Sequence, residues 1–176
     1  MQGPYVPHRS IHINTTITRD LLWLAQRICN SSGVFLLQSL AWHAEEADLL
    51  VFTDACLSGF GFWSPQHTTA FYGVVLNSKQ DEPIYFHKAF AVACAIHWAC
   101  CRSPSPGRLI IKTDSMNTVD LFNTLCVKRA YNELLKFVVD DLMTFEVDLR
   151  VLHVSGQYNQ LADFLSRGQI SKAQRL

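Results

Sequence analysis

The chain has 176 residues, enough for one domain or a domain with an appendage. Hydrophobic residues make up 49% and charged residues 17%, which excludes a disordered chain and leaves a charge-poor surface that a partner would in part cover. Lys+Arg and Asp+Glu number 15 each, which excludes a strongly cationic coat, so nucleic-acid contacts would draw on bound cations, a few local Lys/Arg or a partner domain.

Residues 1–17, with Pro4 and Pro7, predict an extended arm. Thr18 then caps a helix with Asp20 in its first turn, and Leu21, Leu22, Leu24, Ala25 and Ile28 share one face before Gly33 stops it. Val34 to Leu37 is a short β-prone run. From Ala47 the pattern changes. Asp48 to Thr53 predicts a buried strand running into Asp54, Gly59 to Trp63 a second strand and Thr69 to Leu76 a third. Asn77 to Glu82 is a polar loop. Ile84-Tyr85-Phe86 then leads into an Ala-rich helix over Ala89 to Cys101, which the run Ser103 to Gly107 ends. Arg108 to Thr113 is a strand ending at Asp114, Asn117 to Leu125 and Tyr131 to Phe145 are helices, and Asp148 to Val154 is a strand. A last helix covers Asn159 to Arg167. A three-strand meander followed by alternating helices and strands predicts an α/β fold, a mixed sheet with helices on its faces.

The six cysteines (Cys29, Cys56, Cys94, Cys100, Cys101, Cys126) show no CxxC spacing and follow no signal peptide, so reduced, mostly buried thiols of an intracellular protein are expected. No apolar run reaches the ~18 residues of a membrane span. The histidines show no ligand spacing, and His97 is expected in the core. Lys128-Arg129 is expected either to touch a phosphate backbone or to sit at a solvated helix end, the second being favoured. Trp23, Phe35 and Trp42 are candidates for a self-association surface, with buried packing as their other reading.

Two strands end alike, in Phe52-Thr53-Asp54 and Lys112-Thr113-Asp114. Ligands collect at strand ends in α/β sheets, and two aspartates brought together there repel unless a cation neutralises them. Asp163 follows a strand that lies beside the other two in a simple topology. Each Asp alone also serves turn or helix-cap chemistry. Together they form the hard oxygen set of a Mg²⁺ or Mn²⁺ site, in which two ions about 3.5–4 Å apart cleave phosphodiesters with water.

Thr53-Asp54-Ala55, the Asp54 to Gly61 element, Thr113-Asp114-Ser115 and the run His153 to Arg167 resemble the ribonuclease H domain of LTR-type or DIRS-like, fungal-flavoured retroelement reverse transcriptases. The tail is similar to that family's H-V-P-G-x-x-N-x-x-A-D-x-L-S-R signature. The resemblance implies a ribonuclease H-like fold over residues 47–168, with a five-stranded mixed sheet. Residues 1–46 would resemble the segment joining polymerase to ribonuclease H, and 169–176 would be a tail. It further implies an RNA–DNA hybrid as substrate and Asp54, Asp114 and Asp163 as metal ligands, Asp54 bridging two ions. Ser58, Ser115 and Asn159 would lie near the nucleic-acid backbone. A polymerase domain or a second copy is the implied protein partner, in cytoplasm or nucleus and not at a membrane. No Y-x-D-D motif is present, so the chain is not itself a polymerase.

One position departs from the family. The fourth carboxylate, a Glu at the start of the first ribonuclease H helix, is replaced by Lys88 in Lys88-Ala89-Phe90-Ala91-Val92. Glu82 lies before Pro83, Glu45 and Glu46 precede the first strand, and Glu133 belongs to a later helix, so none substitutes. An ammonium has donors only and cannot ligate a cation. At roughly 4 Å and an effective dielectric near 20, each charge pair is worth about 4 kcal/mol. Lys88 therefore either enters the cluster as a built-in counter-ion or extends its stem outward into solvent. In the first case the site takes one metal or none. Gln157 stands where many members carry a loop His that aids product release. Two readings follow: a hybrid nuclease with impaired or absent activity, or a silent platform binding nucleic acid or protein.

Overall fold

The computed structural model describes residues 13–30, 42–76, 81–126 and 131–176. The expectations for the first part of the arm, Gly33, Val34 to Leu37 with Phe35, and Lys128-Arg129 lie outside them. The chain divides into two units, Met1–Gly33 and Val34–Leu176.

The first unit is helix α1, Thr15–Asn30. It begins earlier than Thr18 because Asn14 is the cap: its Oδ1 accepts the Ile17 N–H at 2.9 Å. Asp20 thus falls beyond the first turn, which holds no acid. Ile17, Leu21, Leu24 and Ile28 recur at helical spacing.

The second unit is built on a five-stranded sheet ordered β3-β2-β1-β4-β5. Its strands are β1 (Leu49–Ala55), β2 (Gly59–Ser64), β3 (Thr69–Val74), β4 (Arg108–Thr113) and β5 (Asp148–His153). β1, β2 and β3 pair antiparallel as a meander, whereas β1–β4 and β4–β5 are parallel. The helices are α2 (Ile84–Cys100), α3 (Met116–Thr124), α4 (Asn132–Thr144), α5 (Gln160–Ser166) and α6 (Ile170–Ala173). This is the mixed α/β architecture expected, and most boundaries fall within a residue or two of the sequence reading.

α2 is the exception. It starts at Ile84 and not near Ala89, because Pro83, with φ −64°, stands at its N-cap and the helix runs on through Tyr85, His87 and Lys88 into the alanine-rich stretch. Lys88 therefore lies in the second turn. The alanines Ala89, Ala93, Ala95 and Ala99 let α2 lie close to the sheet, where Val92 and Ile96 pack with Leu49, Val51, Leu109, Ile111 and Val151. On β1 and β4 one face is fully buried, while on the other Leu50, Phe52, Arg108 and Lys112 are half-buried.

β2 divides its residues between faces. Phe60 meets Phe90 of α2 edge-on, with centroids 5.3 Å apart, and Phe62 lies against Trp98. The other face carries Gly59 and Gly61. A Cβ at Gly61 would sit 2.4 Å from Leu165 Cβ, and one at Gly59 would sit 2.5 Å from Ser166 O. Both glycines are needed for α5 to lie directly on the strand. At the outer edge, Asn123 of α3 pairs with β5 as a strand would: its Nδ2 donates to Val151 O at 2.8 Å and its Oδ1 accepts the Val151 N–H at 3.1 Å. Trp42 is buried, flanked by the guanidinium groups of Arg108 and Arg150 at 5.8 and 5.2 Å from its ring centre. Trp42 thus takes the buried-packing role expected of it and not that of an association residue.

Two further expectations are corrected. Only Cys100 of the six thiols is buried; Cys56 and Cys94 are half-buried and Cys29, Cys101 and Cys126 exposed, because these sit at element ends or on outward helix faces. His97 is not a core residue: its side chain is 50% exposed and faces Asp141 of α4. Among the described residues no helix is long and apolar enough to cross a membrane.

Candidate functional site: a lysine-bridged carboxylate pair

The parallel pairing of β1 and β4 sets Thr53 beside Thr113, so the residues that follow, Asp54 and Asp114, emerge at the same end of adjacent strands. Lys88 enters from α2. Its Nζ lies 2.8 Å from Asp54 Oδ1 and 2.5 Å from Asp114 Oδ1, so one ammonium donates to both carboxylates. The side chains of Asp54, Lys88 and Asp114 are 6%, 17% and 29% exposed. Water screens this cluster only in part, and charge-assisted hydrogen bonds are strong under such conditions.

The titrations are displaced accordingly. Burial raises the Asp54 carboxyl above its ordinary value and the charge of Asp114 adds to it, while Lys88 pulls the other way without cancelling them. Burial works against the Lys88 ammonium, but its hydrogen bonds to Asp114 and Asp54 and their charges outweigh it, so its pKa is raised.

The third aspartate is placed differently. Asp163 lies on α5, and its Oδ1 accepts from Arg167 Nε at 2.7 Å, one turn on. Its main chain is tied to the site through Ser166, whose Oγ lies 3.1 Å from Asp54 Oδ2 and 2.9 Å from Asp163 O. Asp54 is thus gripped from both sides, by Lys88 at Oδ1 and Ser166 at Oδ2. Sequence reasoning assigned no role to Ser166 or Arg167, although both belong to the quoted tail; the signal was their spacing of three and four residues from Asp163 on one helix face.

The three residues expected on the nucleic-acid path differ in exposure. Ser58 is exposed, with its Oγ 3.2 Å from Cys56 Sγ. Ser115 is the N-cap of α3 and its Oγ accepts the Thr118 N–H at 3.4 Å. Asn159 is buried, and its Nδ2 donates to Thr53 O at 2.9 Å, fastening the start of α5 to β1. Its Oδ1 is buried without a partner among the described residues. Gln157 is exposed on the turn before α5. Glu46 pairs with Arg108 at the opposite end of the strands and Glu133 with Lys136 on α4. An open depression of about 400 Å³ adjoins Lys88, lined by Ile84, Tyr85, Asp114, Ser115 and Asn117 among others.

This donor set fits a divalent ion poorly: Asp54 and Asp114 each give one oxygen to an ammonium, which opposes a second cation, and Asp163 gives one to a guanidinium. Among the described residues, no three acid, His or Cys side chains are set to ligate a metal.

No protein-family model matches the sequence, and no curated protein matches it. Solved structures do match. LC11-RNase H1, crystallised with an RNA/DNA hybrid, is similar over 72% of this chain and 99% of its own, with a TM-score of 0.59 and 14% identity. RNase H1 of Halobacterium salinarum NRC-1 is similar over 71% of this chain and 98% of its own, with a TM-score of 0.52 and 14% identity. The foamy viral protease-reverse transcriptase in complex with an RNA/DNA hybrid matches 70% of this chain with 20% of its own length, a TM-score of 0.52 and 18% identity. The sheet order, the helices on it and these likenesses together show that the chain has the ribonuclease H-like fold.

Proposed function

We propose that this chain is a ribonuclease H-like module of retroelement origin, of the LTR or DIRS-like kind, whose metal-dependent cleavage of RNA–DNA hybrids is impaired or lost. Residues 47–168 form the module, 1–46 derive from a connection to a polymerase, and 169–176 are an appended tail. The observation that carries this reading is the position of Lys88 Nζ, within hydrogen-bonding distance of both Asp54 and Asp114. A Glu there would add a ligand; the ammonium instead offsets one of the two negative charges it touches, occupies an oxygen of each, and repels a divalent cation. What such a module retains is binding. Beyond Arg167, which pairs with Asp163, Lys172 and Arg175 add two positive charges with no further acid, a short cationic stretch on a chain of zero formal charge. This favours nucleic acid over a protein-only partner.

The test is a pair of assays on a labelled RNA–DNA hybrid with Mg²⁺ or Mn²⁺. The chain as it stands is expected to cut little or not at all, and Lys88→Glu to gain metal-dependent cutting. Strong cutting by the unaltered chain, abolished by Asp54→Asn, would refute the reading. Hybrid affinity that falls steeply with salt identifies a nucleic-acid platform, since phosphate contacts release counter-ions; salt-independent or absent binding points to a protein platform.

A further inference from the structure

The opposite end of α2 carries a second group of reactive side chains. Cys101 directly follows the helix, is exposed, and lies four residues from His97, so the two share a face. Its Sγ is 3.7 Å from His97 Nε2 and 3.9 Å from Nδ1. His97 Nδ1 is in turn 2.9 Å from Asp141 Oδ2, on α4. The ring of Phe137, also on α4, lies beside the imidazole with centroids 5.3 Å apart. A carboxylate on Nδ1 fixes the ring and its tautomer and leaves Nε2 as the acceptor; Sγ lies to the side of the ring, nearly equidistant from both nitrogens, so a turn of the exposed thiol brings its proton in line with Nε2.

The adjacent thiol provides the contrast. Cys100 is fully buried in the core; burial, with the charges of Asp141 and Cys101, pushes its thiol up to about 12. Burial likewise pushes Cys94 up to about 11. One step along the chain thus separates an inert thiol from an exposed one with a base in contact and a carboxylate behind that base.

We propose that Cys101 is a site of reversible modification by low-molecular-weight disulfides, with His97 as its base and Asp141 as the residue that positions His97. The Cys101 S–H proton passes to His97 Nε2. The thiolate attacks one sulfur of the disulfide, its Sγ–S bond forms as the disulfide bond breaks, and the departing thiolate takes the proton back from His97. The products are a mixed disulfide on Cys101 and one free thiol, with no net change in redox equivalents.

Oxidised glutathione is the probe, with the occupancy of each cysteine of the full chain followed by peptide mass spectrometry. Cys101 is expected to react about ten-fold faster than Cys29 and Cys126, which are also exposed, while Cys94 and Cys100 stay unmodified. His97→Gln, and independently His97→Asn, should bring Cys101 down to the rate of those two and leave theirs unchanged. Asp141→Asn should give a smaller fall. Loss of folding raises the rates of all cysteines, Cys94 and Cys100 included, so a fall confined to Cys101 separates the role of His97 from a structural one. Equal rates at the three exposed cysteines, or a Cys101 rate that neither His97 substitution lowers, overturns the proposal.

Discussion

The β1–β4 strand pair carries a cation among carboxylates at each of its ends, and the two ends behave differently. At the N-terminal end Arg108 pairs with Glu46, and Asp48 Oδ2 accepts the Arg108 N–H at 2.8 Å. Those paired side chains are 43% and 44% exposed. At the C-terminal end Lys88 and Asp54 are 17% and 6% exposed, with Asp114 completing the group. Residue types alone would rank the two clusters as equals. Water decides otherwise: exposed pairs are screened and lose side-chain freedom on forming, whereas a desolvated group depends on its partner for nearly all its compensation. The end resembling a nuclease centre is therefore also the end where a single substitution costs most.

The comparison is sharpened first at Lys88. Lys88→Met leaves two close carboxylates with no counter-ion and is expected to destabilise the fold by about 3 kcal/mol, read by urea unfolding at neutral pH. A loss no larger than that of a surface substitution would erase the distinction between the ends.

The pH dependence gives a second measure. Lys88 titrates above its ordinary 10.5 in the folded chain, so its contribution is complete below that pH and is lost as pH rises through the higher folded value. Thermal melting should fall in that alkaline window for the unaltered chain and change less for Lys88→Met. A smaller effect is expected from Ser166→Ala, which removes the hydroxyl at Asp54 Oδ2: about 1 kcal/mol. Smallest is Glu46→Gln, at below about 1 kcal/mol and vanishing in high salt. An effect of Glu46→Gln equal to that of Lys88→Met would break the comparison.

Much of the fold was legible because its signals are local. Apolar runs ending in Thr-Asp, the Gly-aromatic alternation of β2 and the Ser-Pro-Ser-Pro-Gly stop each report a physical need of their own segment. The start of α2 was misjudged because Pro83 acts as a boundary on its C-terminal side, and polar Tyr85, His87 and Lys88 hid the continuity of the helix. The cap of α1 was missed because Asn14 precedes two threonines that offer the same chemistry. At the site, which strand ends bear acids could be read from the chain, but the grip of Ser166 on Asp54 and of Arg167 on Asp163 depends on how α5 seats on the sheet. The outward turn of His97 was illegible for a similar reason: its partner, Asp141, is on another helix.

Gly59 and Gly61 have a consequence for the acids beyond the pairing of Gly61 with Asp54 across β1 and β2. Because the helix bearing Asp163 rests on bare backbone, the gap between that acid and Asp54 is gauged by a strand that contributes no ligand of its own. A methyl group added at position 61 would act as a shim, lifting α5 and drawing Ser166 away from Asp54 while every acidic residue kept its identity. On the proposed reading, restoring a Glu at residue 88 would then gain no cutting, for want of a glycine.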